Sequence, residues 1–494
     1  KGEINKTANI CRYPKFGYQY FNDSNRITKP LLMVDGKHTE ISFDEAFDII
    51  HDKIKNVNAD ENAFYAGARL TNEEMYLIGK LATVGAKTNN VSNFHYLDRG
   101  FGYANNSVSN VPFDQVKGAS KFYFIGSEIN NDNAVLGFDI YDSCFQNSIP
   151  TLNITTHEKS KMIHKVDKTL KIKSYYYFVK AINHYLLSKG LENALFIKDN
   201  TVDFENYKTD LLKLNFEEIV KASGLDKKTI IEFAKEFNLE MNAIIVFSEK
   251  EVSANTSYEL FNLALLSGKL GKTSSGLIAL KEKNNSHGLF DMGMFPELGI
   301  GGVSIDNKEL TDKIKEKWEL KTLAKPLSTS NKELLENGKL KNILIFGEDP
   351  IGTAIKKAEV SEWFKNTEFI MVQDYFITET AKKANLILPA SFPIETGGSF
   401  TNTQKVIQNF EKVTEAKISK TSYEQLLSLL EKFSSNNLKS LDDVSMEAIS
   451  MLPIKAEKEK FEFIKTVKDN QNRMFNNGCD NIVKRFDEYF ENSF

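Results

Sequence analysis

Short apolar runs closed by glycine or a polar turn alternate with stretches of helical spacing through most of this chain. That alternation limits the fold more than any other feature. Ala63-Phe64-Tyr65 is closed by Gly67, and Thr71-Asn72-Glu73-Glu74 then has the form of a capping box opening a helix through Met75, Leu77, Ile78 and Leu81. Phe122-Tyr123-Phe124-Ile125 ends in Gly126-Ser127, a helical stretch runs from Val135 to Phe145, and Thr151-Leu152-Asn153-Ile154 follows Pro150. Ala243 to Phe247 leads to a helix expected over Leu260 to Leu270 and stopped by Gly271. Asn342 to Phe346 ends in Gly347-Glu348-Asp349-Pro350. Glu368 to Val372 is the next strand, Thr378-Glu379-Thr380-Ala381 is expected to open a helix, and Leu386 to Pro389 is a strand again. Strands that are apolar at successive positions are buried on both faces, so the pattern predicts parallel sheets in α/β domains. Ligands of such sheets sit at the carboxyl ends of the strands, where Gly126, Ser248 and Gly347 fall.

With 494 residues the chain has room for two to four domains of roughly 100–200 residues each. Lys and Arg are interleaved with Asp and Glu to a net charge of -4, which excludes the basic face expected of a nucleic-acid binder. No run of about 18 apolar residues exists to span a membrane; Leu260 to Leu270 is broken by Asn262, Ser267, Gly268 and Lys269. The three cysteines, Cys11, Cys144 and Cys479, are too few and too far apart for a disulfide framework, and point to a reducing compartment. The first residue is Lys1, so the native start is expected to lie upstream. Residues 309–340 and 412–494 read as charged helical additions. His38, His51, His164 and His184 lack metal-ligand spacing, His95 and His287 fall in loops, Cys144 reads as a small hydrophobe, and Trp318 and Trp363 read as packing residues.

Several ordered segments resemble the molybdopterin-oxidoreductase family, in particular formate dehydrogenase large subunits and the large iron–sulfur subunit of respiratory NADH:quinone oxidoreductase (complex I). Ile10-Cys11-Arg12-Tyr13-Pro14-Lys15-Phe16-Gly17-Tyr18 looks like the last cluster cysteine and the glycine–aromatic segment after it. Arg26-Ile27-Thr28-Lys29-Pro30-Leu31 and Ile41-Ser42-Phe43-Asp44-Glu45-Ala46 are similar to the stretch leading into the first α/β domain. Thr71 to Glu74 and Thr88-Asn89-Asn90-Val91 resemble the next helix and the metal-ligand loop. Leu263 to Gly268, Lys283 to Gly288 with Asp291-Met292-Gly293, Val372 to Ala381, Leu388-Pro389-Ala390 and Glu395 to Thr403 follow in the family's order.

The resemblance implies two interleaved doubly wound parallel-sheet domains of the formate dehydrogenase/DMSO reductase type. Residues 1–40 would be a remnant of an iron–sulfur domain, 41–105 plus 290–410 the first α/β domain, 106–285 the second, and 411–494 a helical extension, with the family's C-terminal barrel missing. Cys11 would be the fourth ligand of a 4Fe-4S cluster whose other ligands lie upstream. Ungapped alignment puts Asp98 at the molybdenum or tungsten ligand position and Arg99 at a catalytic histidine position; the plain alternative pairs Asp98 with Arg99 or leaves it solvated.

Gly126 and Ser127 retain part of the pterin-dinucleotide loop, but Glu128, Glu249 and Glu251 bring negative charge to it. Thr155-Thr156-His157 replaces an Asp-Pro-Arg, Tyr13 stands where the enzymes carry a Lys between cluster and pterin, and Lys405 is what remains of the later basic residues. The expectation is therefore a degenerate pocket without molybdopterin, and a non-catalytic scaffold in the peripheral arm of a respiratory NADH:quinone oxidoreductase. Such a chain would be cytoplasmic, peripheral to the inner membrane through its partner subunits, with no nucleic acid and no direct insertion. The alternative is an active molybdenum or tungsten oxidoreductase, formate dehydrogenase-like, with Asp98 as metal ligand; a third reading is a regulatory or assembly protein on the same fold.

Overall fold

The computed structural model describes residues 9–11, 15, 21–103, 110–325, 327, 329–435, 437–453, 460–470 and 473–476. Tyr13, Cys479 and most of the Arg12 to Tyr18 segment lie outside these. In chain order the strands are β1 (Leu31–Val34), β2 (Lys37–Glu40), β3 (Asn62–Ala66), β4 (Val91–Ser92), β5 (Lys121–Ile125), β6 (Thr151–Thr155), β7 (Lys168–Lys171) and β8 (Thr201–Val202). There follow β9 (Ala243–Ser248), β10 (Gly276–Leu280), β11 (Asn342–Phe346), β12 (Phe369–Asp374), β13 (Leu386–Pro389), β14 (Gly398–Thr401), β15 (Ile407–Phe410) and β16 (Phe461–Glu462).

Two sheets organise the molecule. The first has the order β2-β1-β13-β12-β11-β3-β4, and the second β10-β9-β5-β6-β7. The second sheet is wholly parallel. The first is parallel from β13 to β4, with the β1–β2 hairpin added antiparallel at its edge. β3 pairs with β11, Asn62 opposite Asn342, so the chain completes the second sheet before returning to the first. This is the mixed α/β architecture with parallel sheets that the strand–helix alternation predicts.

Burial on both faces is visible residue by residue. Phe64, Leu344, Phe346 and Met371 pack into one core, while their neighbours Ala63, Tyr65, Ile343, Ile345 and Val372 pack into another on the opposite face. In the second sheet Tyr123, Ile125, Ile245 and Phe247 face one core, and Phe122, Phe124, Ile244 and Val246 face the other. Each such side chain contributes about 1.5–3 kcal/mol when fully buried, which fixes both sheets between helical layers.

Local signals hold at most element starts. The Thr71 hydroxyl accepts from Glu74 N at 3.2 Å, and the Glu74 carboxylate accepts from Thr71 N at 2.9 Å, opening the helix Asn72–Lys80. The helix expected over Leu260 to Leu270 runs instead over Ala254–Leu266, because Ser253 caps it earlier and Gly268, at φ +61°, ends it. Thr378 to Ala381 opens only the short turn Ala381–Lys383. Thr380 turns back to Asp349, whose carboxylate accepts from both its amide, at 2.9 Å, and its hydroxyl, at 2.6 Å. Past Thr421 come the helices Ser422–Phe433 and Leu441–Met451, then the extended β16. Among the described residues no helix is long and apolar enough to cross a membrane.

Candidate active site

Loops leaving the carboxyl ends of the two sheets meet around Glu249. Tyr96, in the loop after β4, donates its hydroxyl to Glu249 Oε2 at 2.7 Å. Lys281, directly after β10, donates to the Tyr96 oxygen at 2.8 Å and to Glu249 Oε2 at 3.2 Å. Glu282 N donates to Glu249 Oε1 at 2.8 Å, and His95 Nε2 lies 3.4 Å from that same oxygen. Arg99 donates to Glu249 O at 2.6 Å and to Glu282 at 3.1 Å, and Arg473 donates to the other Glu282 oxygen. A cleft of about 140 Å³ opens beside this cluster, walled by Tyr96, Arg99, Phe247, the Glu249 to Ala254 loop and Arg473.

The electrostatics follow from burial and these partners. Burial alone would raise Glu249, but Lys281, His95 and Arg99 together hold it well below the usual carboxylate range. Glu282, likewise buried, is drawn down to about 2 by Arg99, His95, Arg473 and Lys283. Burial pushes Lys281 down to about 8, which leaves it charged at neutral pH. Burial also lowers His95, and lowers His287 further with Lys281 and Lys405 beside it, so both imidazoles are neutral. The result is a cluster in which Arg99, Lys281 and Arg473 surround the carboxylates of Glu249 and Glu282, with Lys283 and Lys405 close by. A cation-rich cleft suits an anionic ligand.

Gly126 sits at φ +64°, where its carbonyl accepts from Ser248 N at 3.0 Å. A Cβ there would fall 2.4 Å from Val252 Cγ1, so only glycine lets the β5 turn and the β9 loop close on each other. The next residue, Ser127, is 4% exposed, and its Oγ has no hydrogen-bond partner among the described residues. A buried hydroxyl without a partner is costly unless something else binds it.

The acidic residues that the sequence sets against such a ligand each have a partner within the protein, Glu249 holding Tyr96 and Lys281 at the cleft itself. Glu128 turns away to accept from Ser160 Oγ at 2.7 Å and Lys161 N at 2.9 Å. Glu251, on the cleft wall, is hydrogen-bonded to His157 at 2.7 Å. Asp98 pairs with neither Arg99 nor the cleft: at φ +61° its carboxylate accepts from Lys332 Nζ at 2.8 Å. Cys11 is half-buried with a free thiol, and Cys144 is also half-buried, its thiol pushed up to about 12 by burial. Trp318 and Trp363 are packed in the cores. Both histidines expected in loops are completely buried near Glu249, His95 in the loop after β4 but His287 in the short helix Ser286–Asp291 after β10; their place beyond the ends of these strands is the signal the sequence offers.

Parallel sheets whose carboxyl ends converge on a cation-rich cleft define an α/β protein of the doubly wound class. The sequence profile of the family described as Molybdopterin oxidoreductase matches residues 26–432, more than half of the chain. The chain belongs to the molybdopterin oxidoreductase family. It is 29% identical over 425 residues to the formate dehydrogenase 2 alpha subunit of Methanococcus maripaludis, covering 82% of this chain and 62% of that protein. It is also 29% identical over 427 residues to the formate dehydrogenase alpha subunit of Methanocaldococcus jannaschii, covering 82% and 61%. The chain thus spans less than two thirds of the length of these relatives. Acetylene hydratase from Pelobacter acetylenicus has the same fold, with a TM-score of 0.64 and 15% identity over 86% of this chain and 63% of that one.

Two expectations are corrected by these findings. The non-catalytic scaffold of a respiratory NADH:quinone oxidoreductase is overturned by relatives that are named formate dehydrogenases, and the expected absence of molybdopterin by the family match itself. The physical reason the sequence misled is the one just given. Glu128, Glu249 and Glu251 look repulsive as isolated letters but are satisfied by partners on other loops.

Proposed function

We propose that this chain is the molybdopterin-binding part of a formate dehydrogenase-like oxidoreductase that works with further subunits. The observation that carries the reading is the cluster of Arg99, Lys281 and Arg473 around the cleft, next to the Gly126-Ser127 turn with its unpartnered buried hydroxyl among the described residues. The relatives' names, formate dehydrogenase alpha subunits, support both the substrate and the partners.

When bound, the cofactor's metal supplies the two-electron redox chemistry. The chain's own residues hold and orient it: Lys281, Lys283 and Lys405 offset phosphate charge, and the Ser127 hydroxyl is free to donate. His95 donates from Nε2 to the ionised Glu249, which leaves Nδ1, buried and without a hydrogen-bond partner among the described residues, as a proton acceptor. Asp98 stays with Lys332 in this reading and the metal takes no ligand from it. Cys11 is assigned as a ligand of a 4Fe-4S cluster. The two sheets are taken to mark two α/β domains, 41–105 plus 290–410 and 106–285, with the β1–β2 hairpin before residue 41 joined to the first.

The protein, produced with molybdate or tungstate and with its natural partners, should contain close to one metal and its pterin per chain. It should also reduce an artificial electron acceptor with formate. Purified protein lacking metal, pterin and formate oxidation under both metals would end the proposal.

A further inference from the structure

Residues 460–470 and 473–476 are anchored in both sheets' cores, and Asn470 and Arg473 line the cleft. At one end β16 pairs in parallel with β8, and Phe463 is buried against Tyr207 with ring centroids 5.1 Å apart. The Asn262 side chain donates to Ile464 O at 2.7 Å and accepts from Ile464 N at 3.0 Å; Asp469 accepts from Ser253 Oγ at 2.5 Å. At the other end Phe475, 3% exposed, packs in the first sheet's core against Phe94 and Trp363. Met474 O accepts there from Ile355 N at 2.9 Å.

Arg473 lies between these anchors and lines the cleft. Its Nη1 donates to Lys250 O at 2.9 Å, its Nε to Phe475 O at 3.1 Å, and its Nη2 to Glu282, whose other oxygen holds Arg99. Two guanidiniums on one carboxylate leave a net positive charge against the cavity. Without Arg473 the remaining Arg99–Glu282 pair would be neutral. Its hydrogen bonds are spent on the protein, so its effect on a ligand must pass through Arg99 and the Glu249 to Ser253 loop.

We propose that the segments 460–470 and 473–476 act as a strap that sets the width of the cleft, with Arg473 as the positioning residue that holds Arg99 and the Glu249 to Ser253 loop ready for an anionic group. The proposal rests on the functional reading for the identity of that group, a formate carboxylate or a cofactor phosphate, and on geometry alone for the strap.

Hydrogen exchange on the intact protein tests the strap, and formate kinetics with pterin content tell the two anions apart. Arg473→Ala should speed exchange in residues 249–257 while the helix Tyr175–Ser188 stays unchanged. It should either raise the formate KM about tenfold with kcat nearly kept, or lower the pterin content, because a lost charged anchor mainly weakens binding. Arg473→Lys keeps the charge but not the fork, and should fall between. Phe475→Ala releases the anchor without touching charge and should speed exchange in the same loop. Unchanged exchange in both Arg473→Ala and Phe475→Ala overturns the strap; faster exchange with KM and pterin both unmoved overturns the positioning role. Absence of formate oxidation and of pterin in the unaltered protein would sink the functional reading alone, and exchange would still decide the strap.

Discussion

The Tyr96 hydroxyl and the Glu249 carboxylate, 2.7 Å apart, join the loop after β4 to the loop after β9 and so couple the two sheets at the cleft. Burial raises Tyr96 well above the ordinary phenol range, so it stays protonated and donates. Tyr96→Phe removes a donor to Glu249 and an acceptor for Lys281 while leaving the ring stacking intact. The expected loss is about 1–3 kcal/mol, the cost of under-satisfying a buried charged group, read from urea unfolding. A change within error would mean that Lys281 alone suffices for Glu249.

Glu282 makes the molecule sensitive to acid. Its pKa is depressed in the fold to about 2, so its stabilisation is fully present above the ordinary unfolded value near 4.5 and is lost as pH falls through 2. Linkage puts the amount on the order of 3 kcal/mol. Unfolding followed between pH 5 and 2 should show this loss, and Glu282→Gln should flatten that part of the profile. An unaltered slope in the variant would assign the acid sensitivity to other carboxylates.

Asp98 and Lys332 form a partly exposed pair at 2.8 Å. Such pairs are usually worth less than about 1 kcal/mol, so Asp98→Ala should barely change the melting temperature and should leave metal content and formate oxidation intact. Loss of metal with the fold retained would make Asp98 a ligand after all.

Just past the carboxyl end of β13, Arg26 and Glu395 are joined by two hydrogen bonds, at 2.6 and 2.5 Å, with both side chains only 1% exposed. Arg26 also donates to Ala390 O at 3.2 Å and lies over the Phe392 ring. Arg26→Ala strands the Glu395 charge and should cost about 3–5 kcal/mol. Replacing both partners by apolar residues should recover much of it. A double variant no better than the single one would show that the arginine's packing, not its charge, holds the segment.

How far the sequence could be read follows the range of the interactions. Strands such as Asn342 to Phe346 and caps such as Thr71 with Glu74 depend on residues within a few positions, and they stand where the pattern puts them. The parallel sheets follow from runs like Ala243 to Phe247 that are apolar at every position. The cleft depends on partners far apart in sequence: Tyr96 with Glu249, His157 with Glu251, Ser160 with Glu128. No local spacing encodes those pairs, so acidic residues were counted as obstacles and the buried His95 and His287 were passed over. Thr380 shows the same limit on a smaller scale, since its bonds to Asp349 cut short a helix that its own neighbours favour.

Gly126 and Ser127 are adjacent, and the structure predicts opposite behaviour for them. At Gly126 any side chain meets two penalties: a φ of +64°, and a Cβ that would lie 2.4 Å from Val252 Cγ1. Val252 follows Glu251 and precedes the Ser253 cap, so relief of that clash must shift the loop that carries Glu249. Gly126→Ala should therefore lower stability by roughly 1–3 kcal/mol, the range for a strained backbone position, and lower pterin content with it. Ser127→Ala removes only a hydroxyl that has no hydrogen-bond partner within the described protein. Deleting a buried unsatisfied group is nearly neutral or mildly stabilising, so its melting temperature should hold or rise slightly. If that hydroxyl is kept for a ligand, pterin content should nevertheless fall, separating binding from folding in one substitution. Equal pterin in Ser127→Ala and the unaltered protein would remove Ser127 from the binding site, while a drop in melting temperature would show that the hydroxyl serves the fold instead.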